Sequence, residues 1–249
     1  MERETTPEDL PILPLRNTVL FPGVVLPINV GRDQSLNLLK EANKGGHDIG
    51  VMTQRDGEIE NPKAEDLHNV GTVARIVKML RMPDGSNTVI IQGKRRCHMG
   101  EVLQEEPYLR AKVTPFPDTE IEWSETEREA LQQSLQEMSM EVIQNSPNIP
   151  SEAAIAIKNI DSLRFLVHFI AANMNAEKAQ KQGLLEVAGL KERVEKVMEL
   201  LGEELQVLEL KNDIQSRVKT DIEKQQREFF LHQQMKQIQE ELGSDPHKE

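Results

Sequence analysis

Lys94, Cys97 and six histidines are the residues whose types could carry chemistry, and their spacing argues against most of it. Gly93-Lys94 comes nearest to a phosphate-cradling loop. Arg95, however, stands where a hydroxyl would have to hold Mg²⁺, and no upstream glycine lies at the required distance. Cys97 beside His98 invites a thiol–imidazole reading, but neighbours on a strand point to opposite faces, so adjacency in sequence opposes contact in space. His47, His68, His98, His168, His232 and His247 show no metal-ligand spacing. His168 lies on an otherwise apolar helical segment, where a hydrogen-bonded core histidine is expected rather than a metal ligand. The sequence contains no G-x-G-x-x-G, G-x-S-x-G, H-E-x-x-H or C-x-x-C. The expectation is a chain with no catalytic residue, no cofactor and no metal of its own.

The elements that would position any site fall into three stretches, 1–118, 119–189 and 190–249. The first has the punctuation of a β-rich domain. Short apolar runs such as Val24–Ile28 and Ile49–Met52 alternate with Gly, Pro, Asn and Asp clusters. Thr72–Leu80 and Thr88–Gln92 flank the turn Pro83-Asp84-Gly85-Ser86, which predicts a hairpin. One helix interrupts this domain, with Asp33 as its cap and Gly45-Gly46 as its stop.

In the second stretch the period becomes helical. Ser124 with Glu127 reads as a capping box that opens a helix toward Asn145. Shorter helices are predicted at about 151–158, at about 162–174 behind Asp161, and at about 176–186. Leu163, Leu166, Val167 and Ile170 share one face.

No proline occurs between Pro150 and Pro246, and Gly202 is the only strong breaker from Leu190 to Leu242. One helix of roughly 80 Å fits that stretch at 1.5 Å per residue. Leu190, Val194, Val197, Leu201, Leu205 and Leu208 follow a near-heptad seam, so the early half should pack on the bundle and the later half project.

Composition narrows the function classes. Aromatics make up 3% and the net charge is −12, which argues against nucleic-acid partners. Residues 1–118 carry −2 and residues 119–249 carry −10. The acidic helical half could lure basic substrates, although mixed charge on helices normally marks a solvated face. Cys97 is the single cysteine, so no internal disulfide forms and a reducing compartment fits. No apolar run approaches 18 residues, and Met1–Thr6 opens neither a signal nor a transit peptide. A cytoplasmic protein with no membrane partner is expected.

Two segments resemble the amino-terminal region of Lon, the ATP-dependent protease. Leu13-Pro14-Leu15-Arg16-Asn17-Thr18-Val19-Leu20-Phe21-Pro22-Gly23 is similar to the family's opening strand and loop. Gln226–Leu231 with Gln234–Gly243 is similar to the stretch preceding its ATPase module. Met82-Pro83-Asp84-Gly85 and Gly93-Lys94-Arg95-Arg96 fit between them. The resemblance covers essentially the whole chain. It implies an α+β fold: a β-rich, PUA-like pseudo-barrel followed by an α-helical bundle ending in one long helix. It also implies a non-catalytic region that recognises unfolded or damaged proteins and supports a hexamer. ATP and Mg²⁺ would belong only to the ATPase domain, and the Ser-Lys dyad to the protease domain. Neither domain is present in this sequence, which stops at Ser244–Glu249. A fragment cut before the motor is expected, with a natural short form as the other reading. The alternative function is a freestanding chaperone-like or adaptor module.

Candidate substrate contacts are Leu20, Phe21 and Pro22 in the first loop and Met79, Leu80 and Met82 at the hairpin tip, where apolar atoms gather beside turns. The competing reading places Phe21, Met79 and Leu80 in the β-domain core, and for any one of them it outweighs the surface reading. At Met82-Pro83 the two balance. Candidate oligomer contacts are Ile222, Phe229, Phe230, Met235 and Ile238 on the late helix. The competing reading there is a solvated helix held by i, i+4 pairs such as Glu223–Arg227.

Overall fold

The computed structural model describes residues 9–83, 86–119, 123–147, 149–150 and 152–243. Asp84 and Gly85 of the predicted turn, Asn148, Met1–Thr6 and Ser244–Glu249 lie outside the described residues.

Six strands come first: β1 (Asp9–Leu15), β2 (Val25–Val30), β3 (Ile49–Thr53), β4 (Val70–Arg81), β5 (Asn87–Gln104) and β6 (Arg110–Pro115). Their order is β2-β5-β4-β3-β1-β6, and β5 also pairs with β6. Five strands therefore close a ring, β5-β4-β3-β1-β6, and β2 lies outside it on the first half of β5 (Val30 opposite Asn87, Val25 opposite Gln92). The length of β5 makes this possible, since its first half serves β2 and its second half serves β6. Among these six strands, as described, only β1 and β3 pair in parallel.

The predicted hairpin is β4–β5, closed by Met82 N–H donating to Ser86 O at 2.8 Å. Helix α1 (Asp33–Gly45) ends at Gly46 with φ 65°, the left-handed stop its glycines predict. Its cap differs from expectation. Arg32 occupies the N-cap position without a side-chain bond, and Asp33 is the first helical residue, where its charge favours the helix dipole.

The second half holds α2 (Glu125–Asn145), α3 (Glu152–Lys158), α4 (Leu163–Asn173), α5 (Lys178–Glu186) and α6 (Leu190–Gly243). The capping box opens α2 as expected, with Glu127 N–H on Ser124 Oγ and Ser124 N–H on Glu127. For α4 the cap is Ser162 rather than Asp161, because the Ser162 hydroxyl accepts from Phe165 N–H. Leu163, Leu166, Val167 and Ile170 are buried together.

Helix α6 is continuous through Gly202 and spans 54 residues, about 80 Å. Val194, Val197 and Leu201 bury its root, and from Glu209 onward every described residue is exposed. Glu223 lies 3.9 Å from Lys219 rather than beside Arg227.

One apolar cluster joins the halves. Val19, Phe21 and Val70 from the β-rich part pack with Leu166, Val167, Leu185, Val194 and Val197 of the helices. Burial of this kind, worth about 25 cal/mol per Å², holds the parts together.

Candidate functional site

Cys97, His98 and His168 are spent on structure. Cys97 is fully buried, and its burial pushes the thiol up to about 12 despite the Arg95 charge, so no thiolate is available. The His98 ring lies tilted against Phe116, with the ring centroids 4.4 Å apart. His168 is a core residue as expected, but its Nδ1 finds no hydrogen-bond partner among the described residues. Burial and the Arg193 charge push its pKa down to about 3, so the ring is neutral. Among the described residues no three His, Cys, Asp or Glu side chains gather as a metal site. No described helix is long and apolar enough to cross a membrane.

Gly93-Lys94 has a structural purpose. Gly93 N–H donates to Val24 O at 3.0 Å and Gly23 N–H to Gly93 O at 2.9 Å, stitching the first loop to β5. A Cβ on Gly93 would stand 2.4 Å from the Phe21 carbonyl oxygen. Gly23 has φ 80°, and a Cβ there would strike the Phe165 ring at 2.6 Å.

This stitching decides the fate of the first candidate group. Leu20 is 2% and Phe21 0% exposed, with the Phe21 ring 5.8 Å from the His168 ring, so neither can meet a protein in solution. Both are corrected to core residues. The loop's polar needs are met by its own backbone, including Thr72 Oγ1 donating to Leu20 O at 2.6 Å, which lets its apolar side chains turn inward. Pro22 remains half-buried.

The hairpin group divides by strand alternation. Met79 opposes the buried Val89 and packs toward the inner cluster. Lys78 and Leu80, opposite Ile90 and Thr88, belong to the outer face. A register shift between Ile76 and Lys78 leaves Val77 unpaired and 53% exposed. On β2, Pro27 opposes Ile90, and Val25 is 52% exposed. Val25, Pro27, Val77, Ile90, Leu80 and the exposed Met82 thus put apolar atoms on the outer face of β2–β5–β4, beside Lys78 and the Arg75–Gln92 pair. The sequence reading named Leu80 and Met82 of this set. It missed Val25 and Ile90, whose side is set by the β2–β5 pairing, and Val77, which the bulge takes out of phase with Leu80.

On α6 the exposed apolar residues other than Phe230 form two stripes. At about 100° per residue, Val207, Leu210, Ile214, Val218, Ile222 and Phe229 share one side. Leu231, Met235, Ile238 and Leu242 lie about a third of a turn away. Phe229 and Phe230 are 67% and 61% exposed, a large apolar area without cover in one chain.

A buried ionic junction was not foreseen. Asp118, whose side chain is 5% exposed, accepts from Arg96 (2.5 Å) and Arg193 (2.8 Å) on one oxygen and from Arg164 (2.8 Å) on the other. Burial alone would raise the Asp118 carboxyl. The Arg193 hydrogen bond and the three guanidinium charges instead hold it below the ordinary carboxylate range. Burial and the Arg193 charge push Arg96 down to about 10, although Asp118 opposes them. Helix α5 adds a polar ladder at i, i+4 and i+8. Lys178 donates to the Arg16 and Arg55 carbonyls, Gln182 to Val70 O at 2.9 Å, and Glu186 lies 3.3 Å from His68.

A groove of about 900 Å³ lies between β1 and β2 near Arg16, Arg32 and Glu60. Its charges are mixed, and Pro27 removes one N–H from the β2 strand that borders it.

Comparisons with known proteins agree with this architecture. The family profile for the ATP-dependent protease La (Lon) substrate-binding domain matches residues 9–203. The chain is 54% identical over 243 residues to a Lon protease of Flavobacterium johnsoniae and 47% identical to one of Cytophaga hutchinsonii, covering 98% of this chain in each case. It spans about 30% of the length of those relatives. The N-terminal domain of a Mycobacterium avium complex Lon protease superposes with a TM-score of 0.63 at 21% identity, covering 78% of this chain and 98% of that one. That likeness speaks for the fold alone. A closed five-strand ring with a flanking strand, a helical bundle and a profile match across both make this chain a member of the Lon substrate-binding domain family.

Proposed function

We propose that this chain is the substrate-recognition and oligomer-supporting region of a cytoplasmic Lon-type protease. The outer face of β2–β5–β4 holds apolar segments of unfolded or damaged proteins, which an ATPase and protease core elsewhere in the protein then processes. The observation that carries this reading is the exposure of Val25, Val77 and Met82 together on one sheet face, in a family described by substrate binding. The bulge at Val77 and the flexible Met82 thioether suit a surface that accepts varied sequences. No residue here acts catalytically, and ATP and Mg²⁺ are bound outside this chain.

Helix α6 contributes by association with other copies. Ile222, Phe229, Phe230, Met235 and Ile238 are all exposed. Covering them removes apolar area from water at about 25 cal/mol per Å², whereas an i, i+4 ion pair such as Asp213–Arg217 (2.8 Å) supplies only about 0.2–0.5 kcal/mol.

A permanently unfolded, reduced and carboxymethylated protein is the probe for the first part. Val77→Ser with Met82→Ser should weaken its binding about tenfold or more while leaving the melting temperature unchanged. Unchanged binding removes the outer face from the account.

A further inference from the structure

We propose that the Asp118 carboxylate is a pin that sets the direction in which the helical half, and with it α6, leaves the β-rich ring. It stands in the link after β6, and its three arginines arrive from three elements, β5, α4 and α6. Two of these guanidinium groups also hold the end of α5. Arg96 donates to Leu185 O at 2.8 Å and Val187 O at 2.5 Å, and Arg193 to Leu184 O at 3.2 Å and Val187 O at 2.6 Å. The Arg96 guanidinium also lies over the Phe116 ring at 4.4 Å, and Thr119 N–H donates to Ala188 O at 3.0 Å.

The apolar cluster between the halves holds them together, but the hydrophobic drive behind it has no preferred direction. Planar guanidinium groups that divide their N–H bonds between one carboxylate and the helix-end carbonyls do have one. Arg96 and Arg193 are 3% and 0% exposed at the side chain, so neither can turn to water if the carboxylate fails. Leu190, the first residue of α6, begins three residues after Val187, and a small change at the pin is amplified along the helix. The junction therefore fixes the angle between the outer sheet face and the arm, whatever either of them binds.

The test is a pair of spin labels at Lys40→Cys on α1 and Gln215→Cys on α6, both exposed positions. Cys97 is buried and leaves the labelling to these sites. The parent should give one narrow distance distribution. Asp118→Asn should at least double its width while the circular dichroism stays helical. Leu135→Ala, a cavity in the buried face of α2, should lower the melting temperature and keep the distribution narrow. If Asp118→Asn does not fold, Arg193→Lys takes its place: the charge stays, but one ammonium cannot replace the fork, and broadening is again expected. A narrow distribution in the folded variant, or equal broadening in Leu135→Ala, overturns the proposal.

Discussion

Arg96 and Arg193 come from opposite halves of the molecule and meet on one atom, the Val187 carbonyl oxygen, at 2.5 and 2.6 Å. Two buried cations can approach one another this closely only because Asp118 stands between them.

Removing that carboxylate should be costly. Breaking a buried charge group by deleting one partner costs about 3–5 kcal/mol, and Asp118→Leu should lose that much in urea unfolding. Arg164 is 63% exposed at the side chain, so Arg164→Gln should lose no more than about 1 kcal/mol. Equal losses would show that burial does not govern this cluster.

Acid should find His168. Its folded pKa lies near 3, below an ordinary value of 6.5, because the site is dry and faces Arg193. The unfolded chain takes the proton first, so stability is full above about pH 6.5 and falls as pH drops toward 3. Between pH 6.5 and 4.5 the loss should be about 2–3 kcal/mol. His68, also lowered by burial, adds to it in the same direction. His168→Leu should flatten most of this limb, and an unchanged limb would assign it elsewhere.

Two glycines should respond with opposite signs. Gly93→Ala places a methyl 2.4 Å from the Phe21 carbonyl and should cost more than about 2 kcal/mol through the backbone shift it forces. Gly183 lies within α5 with open space around its Cβ position, so Gly183→Ala should gain about 0.5–1 kcal/mol. Thermal unfolding of the two variants measures both.

Association through α6 should be visible in sedimentation over a wide concentration range. Phe229→Ser with Phe230→Ser should shift the chain toward monomer without changing its helical signal. A parent that stays monomeric at high concentration would remove self-association from the account.

The sequence made the long-range architecture readable for local reasons. A proline-free stretch with one glycine became one helix, the capping box at Ser124 opened α2, and the Gly45-Gly46 stop ended α1. What stayed hidden depended on pairing. Only the structure shows that β5 continues to Gln104, because its second half takes its meaning from β6. Leu20 and Phe21 looked like a surface loop because they border Pro22-Gly23, yet Gly93 draws that backbone inward and buries both. The Asp118 junction left no pattern, since Arg96, Arg164 and Arg193 are far apart in sequence and each resembles an ordinary surface charge. The ladder at Lys178, Gln182 and Glu186 did carry a signal, a polar stripe at helical spacing.

Photo-crosslinking to a permanently unfolded protein tests substrate capture most directly. A photoactivatable side chain at Val77, on the outer sheet face, should crosslink efficiently. The same group at Ile155, 62% exposed on α3, should not. Equal capture at both positions, or capture at Ile155 alone, would contradict the assignment of the outer face.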